Sequence, residues 1–67
     1  MKINLNNNDT ELNYKEISVK ELLAVQKFTF KLLVIKVNGN LVKRDDYEKI
    51  IIRDGDKVDV IHLMSGG

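Results

Sequence analysis

The sequence predicts a small α+β domain in which a mixed sheet of four to five strands packs against one main helix. Three observations predict it. Only the stretch from Ser18 to Lys27 carries a full set of helix signals. Short runs of alternating or branched apolar residues flank that stretch on both sides, as strands do. The chain has 67 residues, enough for one thin core, and a sheet covered on one face by a helix supplies such a core.

The elements follow in order. Lys2-Ile3-Asn4-Leu5-Asn6 alternates with period two, which turns Ile3 and Leu5 inward. Asn6 to Asp9 is a turn cluster, and Thr10 to Tyr14 returns as a second strand with Leu12 and Tyr14 on one face. Ser18 is placed as a helix N-cap, with Glu21 three residues on to complete a capping box, and Ile17 and Leu22 form a hydrophobic staple. Val19, Leu22, Leu23 and Gln26 recur at helical spacing, so the helix ends near Lys27. Phe28 and Phe30 cap the core beyond it. Leu32 to Val37 reads as a central strand, and Asn38-Gly39 suits the type I′ turn of a hairpin returning through Leu41, Val42 and Lys43. Asp45 to Glu48 makes one helical turn, Ile50 to Ile52 a short apolar piece, and Arg53-Asp54-Gly55-Asp56 a turn. Lys57 to Leu63 is the last strand. The expected order is β-β-α-β-β-β, with a domain over 1–63 and a flexible tail over 64–67.

Composition excludes several functions. Eleven basic and ten acidic residues are spread along the chain for a net charge of +1, without the basic stripe that nucleic acid or an anionic membrane calls for. The longest apolar run, Leu32 to Ile35, is too short to span a bilayer, and the N-terminus lacks the apolar stretch of a secretory signal. Cysteine is absent, which points to a reducing, cytoplasmic setting and rules out a thiol nucleophile or a cysteine zinc site. His62 is the single histidine and forms neither a triad nor a metal site by itself. Asp45-Asp46 and Asp54/Asp56 lack calcium-loop spacing and are explained by turn chemistry. Lys43-Arg44 reads as solvated charge. No catalytic residue and no metal ligand is expected.

The tail Ser65-Gly66-Gly67 stands apart. A free carboxylate acylates poorly until ATP converts it to an acyl-adenylate, and an enzyme doing so must reach the carbonyl through a narrow channel. Two glycines remove both Cβ atoms and open backbone angles closed to other residues. The competing reading is an ordinary frayed end.

Taken together, Val37-Asn38-Gly39 with Val42 and Arg44 following, Asp54-Gly55-Asp56 before the last strand, and the closing Gly66-Gly67 give the whole chain a resemblance to a known family. It resembles the ThiS sulfur carriers of thiamin thiazole biosynthesis, within the ubiquitin-like β-grasp superfamily. The resemblance implies a carrier, not an enzyme. A ThiF-like adenylyltransferase would activate the Gly67 carboxylate with ATP, a desulfurase relay would convert it to a thiocarboxylate, and a ThiG-like thiazole synthase would receive the sulfur. The carrier itself would bind no cofactor, and its lack of cysteine fits, because the sulfur rides on the terminal carbonyl carbon. Three other readings stay open: a molybdopterin synthase small subunit, a ubiquitin-like modifier joined through Gly67 to lysines, and a plain interaction module.

Strand parity suggests where a partner docks. Val58 and Val60 face the helix-covered core, so Ile61 and Leu63 share the open face with Asp59. Ile35 and Val37 are core in the same way, and Val34 joins Lys36 on the open side. The expected partner-binding patch is Val34, Ile61 and Leu63. A bulge in the last strand would instead return Ile61 and Leu63 to the core.

Overall fold

The computed structural model describes residues 1–28 and 33–62. Its elements are β1 (Lys2–Leu5), β2 (Asn8–Glu11), β3 (Glu16–Ser18), α1 (Val19–Val25), β4 (Leu33–Val37), β5 (Asn40–Val42), a 3-10 turn at Arg44–Asp46, β6 (Ile51–Arg53) and β7 (Lys57–His62). Five strands form a mixed sheet in the order β2-β1-β7-β4-β5, and β3 pairs with β6 in a separate two-stranded sheet. The predicted α+β class and its single helix are both present. The order is richer than β-β-α-β-β-β, because the short segments on either side of the helix region, 16–18 and 51–53, find each other as strands.

The first hairpin departs from the sequence expectation. Asn6 and Asn7 alone make the turn, with φ of 50° and 66°, and pairing resumes at once with Leu5 opposite Asn8. Two positive-φ residues are what a type I′ turn needs, and asparagine tolerates that region better than other side chains. The returning strand is therefore 8–11 and not 10–14. Leu12 is buried just beyond it, whereas Tyr14 is exposed, so the two do not share the core face. The second hairpin turns in the same way through Asn38 and Gly39, with φ of 52° and 83°.

Helix α1 begins as its sequence signals require. Ser18 Oγ accepts from the Glu21 N–H at 3.1 Å, and Glu21 Oε1 accepts from the Ser18 N–H at 3.2 Å. The 47–50 segment satisfies two more opening donors: the Val19 N–H reaches Ile50 C=O at 3.0 Å, and the Lys20 N–H reaches Tyr47 C=O at 2.9 Å. At the other end the Phe28 N–H donates to Leu23 C=O at 2.8 Å and the Lys27 N–H to Ala24 C=O at 3.2 Å. This is a Schellman stop with lysine, at φ 58°, in the position that glycine usually fills. Leu23 and Phe28 both pack on the core edge, which supplies the apolar contact that accompanies the motif. Phe30 lies outside the described residues.

The core lies between α1, the inner face of the large sheet and the small β3–β6 sheet. Val19, Leu22, Ile35, Ile52 and Val58 are all fully buried. Ile17 and Leu22, the expected staple pair, belong to this same cluster. Burying five branched or leucine side chains contributes about 1.5–3 kcal/mol each in transfer free energy. Ordering the backbone costs roughly 1–2 kcal/mol per residue, so these five supply only part of what a 67-residue chain must offset, and the remainder comes from the rest of the core and the backbone pairing.

Candidate functional site: the open sheet face and the last strand

β7 is the middle strand of the large sheet. It runs parallel to β1, with Asn4 beside Lys57 and Leu5 beside Val58, and antiparallel to β4, from Val37–Val58 to Leu33–His62. Parity holds without a bulge: Val58 and Val60 are buried, whereas Ile61 is 44% exposed. On the open face Val34 stands directly opposite Ile61, and Lys36 directly opposite Asp59. Val34 and Asp59 are half-buried and Lys36 is exposed. Leu63, the third residue of the expected patch, lies outside the described residues, as do Ser65, Gly66 and Gly67.

The apolar surface also extends in a direction that the sequence reading passed over. Leu41 in β5 is 64% exposed, the highest value among the large apolar side chains that are described as exposed. It sits opposite Lys36 on the open face. The signal was available: a two-residue turn at Asn38-Gly39 forces Val37 opposite Asn40, and hence Leu41 opposite Lys36. Leu41 is therefore a diagonal neighbour of Val34, within reach of a leucine side chain.

Two polar arrangements hold β7 in register. Asn6, as β1 turns away, keeps its backbone N–H on Val58 C=O at 2.9 Å and offers Oδ1 to the Val60 N–H at 2.7 Å. At the start of β7, Asn38 Oδ1 accepts from the Lys57 N–H at 2.9 Å while Asn38 Nδ2 donates to Asp56 Oδ1 at 3.1 Å. Asp56 Oδ2 in turn accepts from the Arg53 N–H at 2.8 Å, and Asp54 Oδ1 from the Lys2 N–H at 2.7 Å. Asn38-Gly39 and Asp54-Gly55-Asp56 thus form a clasp that ties β1, β6 and β7 to the β4–β5 turn at the pole of the sheet where β7 begins. Six residues of β7 separate that pole from Leu63. At about 3.3 Å per residue, the two ends of the strand lie roughly 16 Å apart. These motif residues are structural.

Elsewhere, an open groove of about 410 Å³ is lined by Lys20, Arg44, Asp45, Tyr47 and Glu48. Lys20 Nζ donates to Glu48 Oε1 at 2.7 Å across it. That hydrogen bond, with the charge of its partner, raises the Lys20 pKa and lowers that of Glu48. Lys20 and Glu48 thus satisfy each other across the groove. Among the described residues no three acidic or histidine side chains gather as metal ligands, and no helix is long and apolar enough to cross a membrane. His62 is exposed at the end of β7.

Comparison with known proteins gives a consistent result. The model of the ThiS family matches residues 3–67. The sulfur carrier protein ThiS of Bacillus subtilis is 22% identical over 65 residues, covering 97% of this chain and 98% of that one. An uncharacterised protein, ycf40, of Trieres chinensis is 31% identical over 51 residues, 76% of this chain and 70% of its own. The crystal structure of the thiamine biosynthesis protein ThiS from Geobacter metallireducens superposes with a TM-score of 0.91 at 25% identity, each chain fully covered. The solution structure of the Geobacter protein gives 0.82, covering 88% of that chain.

Proposed function

We propose that this chain, which belongs to the ThiS family of small sulfur carriers, carries sulfur as a thiocarboxylate on Gly67 and delivers it for thiamin thiazole synthesis. An adenylyltransferase of the ThiF type joins the Gly67 carboxylate to the AMP portion of ATP and releases pyrophosphate. The terminal sulfur of a persulfide supplied by a desulfurase relay then displaces AMP at the carbonyl carbon, and a thiol cleaves the resulting acyl disulfide, leaving the thiocarboxylate on Gly67 and a disulfide on the relay. The thiocarboxylate passes its sulfur to a thiazole synthase of the ThiG type. Val34 and Ile61, continued by Leu63, dock the activating enzyme and lead its channel toward Ser65, Gly66 and Gly67.

The observation that carries this reading is the extent of the family match, which reaches through Gly67 itself. The absence of cysteine agrees with it, since the cargo needs no thiol on the carrier. Incubation with the activating enzyme, ATP and a sulfur donor should replace one terminal oxygen by sulfur in the intact mass. Deleting Gly67 should abolish that change and leave the far-ultraviolet spectrum untouched. Lysine adducts of high mass would point instead to a protein modifier, and an unchanged mass with the cognate enzyme would sink the carrier reading. Purified thiazole synthase with loaded carrier identifies the acceptor. Replacing Ile61 with Glu should slow loading without unfolding the domain, because the side chain is already 44% exposed.

A further inference from the structure

The open face has an internal symmetry that bears on how the protein behaves alone. Lys36 and Asp59 stand side by side on adjacent strands, yet among the described residues neither takes part in an ion pair. The next pair along the same strands is apolar, Val34 beside Ile61, and Leu41 flanks Lys36 on its outer side. Rotation of a second copy by 180° about an axis parallel to the strands and midway between β4 and β7 lays the two open faces together. Under that operation Lys36 meets the second copy's Asp59, and Asp59 meets its Lys36. Val34 and Ile61 meet each other in the same way. A two-fold axis perpendicular to the strands would stack lysine on lysine and aspartate on aspartate, so the charges select one arrangement. Two twisted sheets packed in this way form an aligned sandwich, a favoured geometry for face-to-face sheets.

We infer that this face binds a second copy of the chain, forming a weak two-fold dimer in which two reciprocal Lys36–Asp59 pairs lie beside two reciprocal Val34–Ile61 contacts. The same patch on both copies is what an isologous interface requires. Only five side chains per copy take part, so the buried total falls below the roughly 1,200 Å² of stable complexes and the dimer is transient. It forms at high concentration and hides Ile61. The inference rests on the strand register and side-chain exposure alone and is independent of the cargo on Gly67.

The test uses the unloaded full chain. From tens of micromolar to millimolar concentration, the amide resonances of Val34, Lys36, Leu41, Asp59 and Ile61 should shift together, and the sedimentation-average mass should rise toward twice the monomer. Lys36→Asp should abolish both effects, because it sets carboxylate against carboxylate. Asp59→Lys should do the same with ammonium groups. An equimolar mixture of these two variants should regain association. So should the double swap Lys36→Asp/Asp59→Lys, which keeps the net charge at +1. Leu41→Ser provides a second route to loss of association should a charge variant fail to fold. A wild-type chain that stays monomeric at millimolar concentration would overturn the proposal, as would shifts confined to other faces or a double swap that does not recover.

Discussion

Asn6 combines two demands that few side chains meet at once. Its backbone has φ of 50°, in the left-handed region, and its Oδ1 satisfies the partly buried N–H of Val60 at 2.7 Å. Alanine resists the backbone angle and leaves that donor unpaired, at a cost of about 1–3 kcal/mol for the lost partner. Asn6→Ala should therefore lower the urea midpoint markedly. Asn6→Asp, which keeps an acceptor and tolerates the angle, should recover most of the loss; equal effects of the two would argue against the Val60 bond. Lys20 and Glu48 give a second prediction at this scale. Glu48 titrates below its ordinary value because Lys20 hydrogen-bonds and attracts its charged form. The pair's contribution is thus present above the ordinary glutamate pKa and fades as pH falls through the lowered one. The Lys20 contribution, its pKa being raised, is present below the ordinary lysine value and fades as pH rises through the raised one. Both groups are exposed, so salt screens the pair and its effect on stability is small. The carboxyl resonance of Glu48 should titrate early, and Lys20→Met should return it to the ordinary glutamate range.

Among the elements, the helix shows best how sequence rules translate and where they stop. Ser18, Glu21, Ile17 and Leu22 announce its start through side-chain chemistry that is local and readable. The place of its stop, near Lys27, was readable from where the apolar stripe runs out, but its geometry was not, because Lys27 occupies a left-handed position without glycine, held by the Leu23 and Ala24 carbonyls. Left-handed backbone costs a residue with a Cβ about 1–2 kcal/mol, whereas glycine loses roughly 0.4–1 kcal/mol more entropy on folding. Lys27→Gly should accordingly stabilise the domain by about 0.5–1 kcal/mol, seen as a melting temperature higher by a few degrees. A lower melting temperature would mean that the lysine side chain contributes a contact of its own. The strands divide along the same line. β1, β4, β5 and β7 were legible from alternation and from Asn38-Gly39. β2 was displaced because Asn7 and Asn8 carry equal turn propensity, and only pairing decides which of them leaves the turn. β3 and β6 are three residues each and stand more than thirty positions apart in sequence. No local pattern reports such a pairing; only the chain's return past the helix start creates it. The open-face patch was legible for Val34 and Ile61 through parity. Leu41 and the Lys36–Asp59 contrast needed cross-strand register, which parity within one strand does not supply.

For the whole molecule, the sheet separates two tasks along β7. The pole at Lys57 is closed by the Asn38–Asp56–Asp54 clasp, and the face near Ile61 is left open. Asn38→Ala should lower global stability by about 1–2 kcal/mol, chiefly because alanine resists the left-handed φ of 52° at that position, since the exposed Lys57 N–H can turn to water. At a temperature where the variant remains folded, its rate of loading at Gly67 should match the parent; a large loading defect there would mean that the clasp end also contacts the activating enzyme. The central place of β7 has one more consequence, for synthesis on the ribosome. Until residues 57–62 emerge, β1–β2 and β4–β5 are two separate hairpins with no strand between them, and an isolated hairpin is marginally stable in water. The nascent chain cannot complete its sheet early, and a product that terminates before β7 stays unfolded and open to proteolysis. The sheet therefore closes only once residues 57–62 are free to stand between the two hairpins, so its completion is a late event of synthesis.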